Sequence, residues 1–465
     1  MQNWQALQRI HVAGIGGAGM SAIARILKAR GLQVTGSDAR ESATTAALRA
    51  EDIPVRIGFS AGEALDADAV LASSAVPESD PELQAARAQG LPILRRPDIL
   101  PWLTSGYDVI AVSGAHGKTT VTSMLALVFT ALRQDPSFII GGVSANLGTN
   151  ARLGRGRYFI IEADEYQNTF LSLSPKIAII TNIEYDHPDC FPSLRHLRYA
   201  FGEFVERIQP GGLLVACNDD PLAHALGASY HANGGNLMLY GREEGSGVTW
   251  RALNIRPNDL GGIDFEVQYQ GQALWPMRLQ VPGAHNALNA LAVLAVAEAA
   301  GLPWNVAATT LREYRGTERR FQLLGEAGGV TVIDDYAHHP TQIRYVLEAA
   351  RQRYAGRRIL AVWQPHTFSR IKALWQAYLT AFADADAVYI LPIYAAREVD
   401  DGSVRHTDLA AAIQHPWVHS CADLEQAVQD LADAVRPGDV VILMGAGNEY
   451  LVGERLLQHL TGETA

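Results

Sequence analysis

Gly114-Ala115-His116-Gly117-Lys118-Thr119-Thr120 has the residue types that hold a polyphosphate. The apolar run from Val109 to Val112 precedes it, and an amphipathic pattern with hydroxyls in its first turn follows. That order predicts a strand, a glycine turn and a helix N-terminus. Backbone N–H groups at such a terminus converge on phosphate oxygens, Lys118 supplies a compact positive charge, and Thr119 offers a hydroxyl to Mg²⁺. The full G-x-x-x-x-G-K-[ST] pattern is not met, because Val112 stands at its first glycine. ATP is the expected ligand, and a chance Gly-Lys-Thr on a surface loop is the competing explanation.

Other strand ends carry further chemistry. Glu162, at the head of Glu162-Ala163-Asp164-Glu165, directly follows Phe159-Ile160-Ile161, and His187 follows another apolar run. With Thr119 they are candidate ligands for a divalent ion on the β- and γ-phosphates. The alternative for Glu162 and Glu165 is a solvated strand end, and for His187 a hydrogen-bonded loop. His285, Asn286 and Asn289 open an alanine-rich helix, where capping alone would explain Asn286. Asp334-Asp335-Tyr336-Ala337-His338-His339 gathers two acids, a phenol and two imidazoles, and Pro340 then starts a helix. His366 and Arg370 follow the next strand. Arg319 and Arg320 lie where one unit hands over to the next, placed to reach a phosphate or carboxylate after closure.

Strand-like runs alternate with helical patterns along nearly the whole chain, which predicts α/β domains with mainly parallel sheets. A length of 465 residues favours about three. The expected limits are 1–104 for a Rossmann-like N-terminal domain, 105–317 for a central, mostly parallel P-loop ATPase-type domain, and 318–465 for a second Rossmann-like domain. In the first, Gly14-x-Gly16-x-x-Gly19 links a strand to a helix, and Asp38 ends the next strand. Taken alone this dinucleotide-type fingerprint favours NAD and an oxidoreductase. Residues 230–280 read as a small antiparallel insertion.

A formal charge of −11, with only scattered basic pairs, argues against nucleic acid as a partner. No 18-residue uncharged apolar stretch and no secretion signal are visible, so a cytoplasmic protein with no membrane partner is expected. Cys190, Cys217 and Cys421 are odd in number and widely spaced, which argues against both a disulfide framework and a zinc site.

Taken in order, GIGGAGM, SSAVPESDPEL, GAHGKTT, EADEY, TNIEYDHPD, GAHNALNA, DDYAHHPT and QPHTFSR resemble the motifs of the Mur ligases, three-domain amide-forming enzymes of bacterial cell-wall synthesis. The resemblance implies that Gly14, Gly16, Gly17, Gly19, Asp38, Ser73 and Ser74 hold a UDP-sugar rather than NAD. It implies ATP at Gly114 to Thr120, with His285, Asn286, Asn289, Arg319, Arg320 and Asp335. Thr119, Glu162 and His187 become Mg²⁺ ligands, and Tyr336, His338, His366 and Arg370 surround the amino acid. Lys118, His187, His338 and Arg370 are the expected catalytic residues. The implied substrates are UDP-N-acetylmuramate, L-alanine and ATP, joined through an acyl phosphate by a monomer or weak homodimer whose third domain closes after ATP binds. A family member that attaches a recycled tripeptide is the nearest rival. Phe59, Thr367 and Glu165-Tyr166-Gln167 depart from common family patterns, and no lysine lies between Pro188 and Arg207, which fits the alanine-adding branch.

Overall fold

Buried β-branched strands joined by helices build both compact units of the chain, which a computed structural model describes over residues 7–245 and 247–462. The first unit comprises the residues up to Ile183, with Arg198–Val248 and Ala292–Thr310. The second comprises Glu184–Leu197, Thr249–Leu291 and the residues from Leu311 onward.

In the first unit a five-stranded parallel sheet has the order Val55–Ile57, Gln33–Asp38, Arg9–Ala13, Ala69–Ala72, Ile93–Leu94. From Arg9–Ala13 the chain winds first to one side and then, at Ala69–Ala72, to the other. Gly14 to Gly19 and Ser73-Ser74 therefore leave adjacent strand ends at the reversal of strand order, where open α/β sheets form a ligand crevice. Ile23, Ile26 and Leu27 of helix Ala18–Ala29 are buried.

The larger sheet of this unit runs Asn236–Gly241, Leu213–Cys217, Ile177–Ile180, Asp108–Ser113, Tyr158–Glu162, Ser137–Ser144, Thr149–Arg152. Its pairs are parallel except the final hairpin. Val109 to Ser113 are all buried, as expected of a strand covered on both faces. Helix Lys118–Ala131 differs from the amphipathic expectation, because Val121, Thr122, Ser123, Met124, Leu125, Val128 and Phe129 are all buried. Thr122 is accommodated in its interior by bonding backward, its Oγ1 donating to the Lys118 carbonyl at 2.8 Å.

The second unit carries a six-stranded sheet, Gln322–Ala327, Val330–Asp335, Val440–Met444, Ile359–Trp363, Ala387–Ile390, Val418–Ser420, parallel apart from its first pair. Ile333, Ala361, Trp363, Ile442 and Met444 form the core on one face, against Ile343, Leu347 and Ile371. The antiparallel insertion begins later than residue 230. Helix Pro221–Ala232 and strand Asn236–Gly241 continue the parallel sheet, and the meander consists of Val248–Pro257, Ile263–Tyr269 and Gln272–Leu279. Among the described residues no helix is long and apolar enough to cross a membrane.

Candidate active site

Strand Asp108–Ser113 delivers the Gly114–Thr120 segment, expected to hold phosphate, at its carboxyl end. Gly114 has φ 135° and Gly117 φ 86°, conformations in which a side chain is strained. A Cβ on Gly114 would also lie 2.1 Å from Thr181 Oγ1. The loop is pinned to the adjacent strand end: Asn182 Oδ1 accepts from the His116 N–H at 2.9 Å, and Thr181 Oγ1 donates to the His116 carbonyl at 2.5 Å.

Lys118 Nζ donates to the Gly114 carbonyl at 2.6 Å and to both Glu165 oxygens at 2.9 and 2.8 Å. Burial disfavours its charge, but Glu165, Asp164 and Glu162 outweigh that and hold the ammonium above its ordinary pKa. Glu165 is therefore no solvated strand end; its side chain is 2 % exposed. Glu162 is equally fixed, accepting from Thr119 Oγ1 at 3.1 Å and from the Gly141 N–H at 2.8 Å. Asp164 pairs with Arg96 at 3.0 Å. Sequence reasoning missed Arg96, Thr181 and Asn182, whose only signal was their position beside strand ends.

At the reversal point of the five-stranded sheet, Asp38 Oδ2 accepts from the Gly16 N–H at 2.8 Å. A Cβ on Gly16 would stand 2.9 Å from that oxygen, and one on Gly14 2.9 Å from Ser73 Cβ, so these glycines are required by close approach. Gly17 is the N-cap of helix Ala18–Ala29 without a side-chain cap, leaving a helix N-terminus beside Gly19. Arg95 Nη1 donates to the Ser73 carbonyl at 2.5 Å, fixing the Ser73-Ser74 turn.

In the second unit the anticipated His187, His338, His366 and Arg370 converge on Asp186, which sequence reasoning passed over. Arg370 Nε donates to Asp186 Oδ1 at 2.6 Å, and both side chains are nearly inaccessible. Burial opposes ionisation of Asp186, yet Arg370, His187 and His338 overcome it and hold the carboxyl well below its usual range. His338 Nδ1 lies 2.9 Å from the Tyr336 carbonyl, which can only accept, so Nδ1 carries the proton. Nε2, 3.8 Å from Asp186 Oδ2, is the nitrogen that keeps a lone pair in the neutral ring. Burial, then the Arg370 guanidinium, push His338 down to about 4. His366 Nδ1 accepts from Arg370 Nη1 at 2.8 Å, and burial and Arg370 hold that ring well below its ordinary pKa as well. Arg370 Nη2 stands 3.5 Å from His187 Nδ1, leaving Nε2 as the better placed nitrogen for a cation. His187 and Thr367 adopt φ 55° and 63°, left-handed conformations rare for such residues.

Several anticipated binding residues turn inward. Arg319, expected to reach a phosphate across a boundary, donates instead to Asp334 Oδ2 at 3.1 Å, to the Gly445 carbonyl at 3.2 Å and to Glu449. It also lies over Tyr336 at 5.0 Å. The reason is electrostatic: Asp334 and Glu449 are buried and need a counter-charge, and burial still pushes Glu449 up to about 7. Asp335 is pushed up to about 6 by burial while accepting N–H groups of Phe321 and Ala337, so it too is a structural anchor. Arg320 lies over the Tyr336 ring at 5.3 Å. Asn286 does not cap its helix through its side chain; Nδ2 donates to the Pro282 carbonyl at 2.7 Å, and Oδ1 accepts from Asn289 at 2.9 Å. His285 stacks on Tyr345 with centroids 5.4 Å apart. His339 caps helix Pro340–Arg353, its Nδ1 accepting from the Thr341 N–H at 3.3 Å.

Three family models match successive segments: the Mur ligase family catalytic domain over residues 9–108, the Mur ligase middle domain over 112–297, and the Mur ligase glutamate ligase domain over 319–447. The chain belongs to the Mur ligase family. It therefore has that family's three-domain architecture, and its glycine fingerprint is part of a Mur ligase domain, which sets aside the oxidoreductase reading. A UDP-N-acetylmuramate–L-alanine ligase of Frankia casuarinae is 42% identical over 98% of both chains. The enzyme of the same name from Pelotomaculum thermopropionicum is 41% identical over 97% of this chain and 98% of its own. Among solved structures, the UDP-N-acetylmuramate–alanine ligase of Thermotoga maritima superposes with TM-score 0.82 at 29% identity, covering 98% of this chain and all of that one. A murein peptide ligase of Psychrobacter arcticus gives 0.76 at 25% identity, over 98% of this chain and all of its own.

Proposed function

We propose that this Mur ligase joins L-alanine to UDP-N-acetylmuramate in peptidoglycan synthesis, converting ATP to ADP and phosphate in the cytoplasm, as a monomer or weak homodimer. The observation that carries the reading is the largely enclosed Lys118, held by Glu165 beside a left-handed Gly117 at a helix N-terminus, in a chain about 42% identical to a named alanine ligase across almost its whole length.

A carboxylate resists attack by an amine because oxide would have to leave. Transfer of the γ-phosphoryl group to the muramyl carboxylate supplies a phosphate leaving group, and the alanine nitrogen then attacks the acyl carbon to give a tetrahedral intermediate. Lys118 and the N–H groups at the start of its helix neutralise charge on the transferred group. Thr119 and Glu162 offer hard oxygen donors, which fits Mg²⁺, and Glu162 is held for that purpose by the Gly141 N–H. When bound, Mg²⁺ neutralises phosphate charge; His187 is kept as an additional ligand in this reading. Arg370, already charged and paired, orients carboxylate groups of the substrates. His338 Nε2 accepts the proton that the attacking nitrogen sheds, which a weak base does only once C–N bond formation has made that proton acidic. The intermediate collapses to amide and inorganic phosphate.

Gly14, Gly16, Gly17, Gly19, Asp38, Ser73 and Ser74 bind the UDP group, while His285, Asn286, Asn289 and Arg320 contact the nucleotide of ATP. Arg319 and Asp335 support that region from within the fold. Tyr336 and His366 line the amino-acid position. Phosphate release measured with UDP-N-acetylmuramate and either L-alanine or the recycled tripeptide tests the reading. Turnover with tripeptide alone would transfer the protein to the murein peptide ligase activity named for the Psychrobacter structure; turnover with neither would overturn both.

A further inference from the structure

The edge of the six-stranded sheet holds a cluster that the ligase chemistry does not use. Among the described residues, strand Val418–Ser420 has a single sheet neighbour, Ala387–Ile390. His419 lies on it, Cys421 follows two positions later, and Asp430 comes back to them on helix Leu424–Ala434. One ligand atom from each of the three lies within 4.8 Å of the other two. His419 Nε2 and Asp430 Oδ2 are 2.8 Å apart. The Cys421 N–H is tied to the Ile390 carbonyl at 2.9 Å, so the thiol is carried by a fixed backbone.

We propose that His419, Cys421 and Asp430 bind a borderline-soft divalent cation of the Zn²⁺ class. The donor set decides the class: one thiol sulfur, one imidazole nitrogen and one carboxylate oxygen match Zn²⁺ or Co²⁺ and are a poor match for Mg²⁺ or Ca²⁺. With metal–ligand bonds of about 2.0–2.3 Å, a tetrahedral ion separates its ligand atoms by roughly 3.5 Å, so small side-chain adjustments suffice. Three protein ligands leave a fourth position for water. Cys421 is buried, whereas the side chains of His419 and Asp430 are 40 % and 28 % exposed, which gives the ion an entry path. Tyr389 and Trp417 flank the His419 ring at centroid distances of 5.8 and 6.1 Å and limit its reorientation.

The protons balance simply. The Cys421 thiol releases one proton to solvent, and the His419 proton moves from Nε2 to Nδ1, so each bound ion liberates one proton net. The ion ties the exposed edge strand to the helix after it and takes no part in amide formation. A site with one cysteine leaves no cysteine spacing to read in the sequence, since its other ligands are supplied by the fold.

Co²⁺ titration of the full-length protein tests this. The expected result is one Co²⁺ per chain with a near-ultraviolet thiolate-to-cobalt charge-transfer band, displaced by Zn²⁺. Cys421→Ser abolishes the band, Cys190→Ser keeps it, and Asp430→Asn and His419→Gln each weaken binding tenfold or more. Calorimetry in buffers of different ionisation enthalpy reads the single proton. Circular dichroism and metal-free thermal midpoints establish that each variant is folded, and the two partly exposed positions keep the test decisive if Cys421→Ser is not. No charge-transfer band in the parent protein, a band retained in Cys421→Ser, or affinity unchanged in both Asp430→Asn and His419→Gln would overturn the proposal, leaving a hydrogen-bonded trio.

Discussion

Lys118 in the first unit and Arg370 in the second are cations neutralised in different ways. Lys118 faces three carboxylates, Glu162, Asp164 and Glu165, so acid is in excess around it. Arg370 faces one carboxylate, Asp186, together with the rings of His338 and His366, which the same guanidinium helps keep neutral. An acid-rich pocket with one ammonium suits a polyphosphate that arrives with a divalent ion. A charge-balanced pocket with neutral imidazoles suits a carboxylate and an amine that must shed a proton. One cluster is built to exchange its partners and the other to keep them.

The largest expected effect breaks the first cluster. Lys118→Ala lowers phosphate release and amide formation by about 10³-fold or more, because a principal charge on the transferred group is gone. Calorimetric binding of UDP-N-acetylmuramate should persist, and its loss would mean that Lys118 holds the fold. The second cluster responds in stability. Arg370→Ala leaves Asp186 buried without its partner and costs about 3–5 kcal/mol, read from urea unfolding. If Lys118→Ala destabilises as much as Arg370→Ala, the distinction between exchange and retention fails.

The pH dependence sharpens the comparison. His338 is held near 4 in the folded protein against an ordinary 6.5, so the unfolded chain binds a proton first on acidification. The contribution of its neutral state is intact above pH 6.5 and declines as pH falls toward 4, amounting to about 2 kcal/mol lost at pH 5. Parallel unfolding of the parent and His338→Gln at pH 7 and pH 5 should show the parent losing that much more. Equal losses would show that the ring is charged in the fold. The smallest effect lies outside both clusters. Asn286→Ala removes the bond to the Pro282 carbonyl and costs about 1 kcal/mol, visible in the urea midpoint.

What could be read from the residues follows sequence distance. Asp108 to Thr120 is a local unit, and its strand, turn and helix signals sit side by side, so the phosphate loop was readable. The Gly14 to Asp38 geometry was readable for the same reason. Partners joined only by folding were not: Asp186 and Arg370 are separated by 184 residues, and nothing near Asp186 announces that it will be buried. The partners of Arg319 were not readable either: two adjacent arginines at a boundary look outward-facing, while the demand for a counter-charge comes from Glu449, 130 residues later. The antiparallel insertion was placed too early because glycines near residue 234 end a helix rather than a sheet. Ligand roles followed from residue type and order; which arginine was spare depended on packing.

The grip of Glu165 on Lys118 has a thermodynamic consequence for nucleotide entry. If Lys118 takes a phosphate, as proposed above, Glu165 is an internal tenant of matching charge; arrival of ATP is then a substitution, and its affinity the difference between two anions' hold on the same ammonium. Monovalent anions gain nothing from such a swap, whereas a triphosphate delivers several charges where one departs. On that reading, selectivity for polyphosphate is set in the resting protein before any substrate arrives.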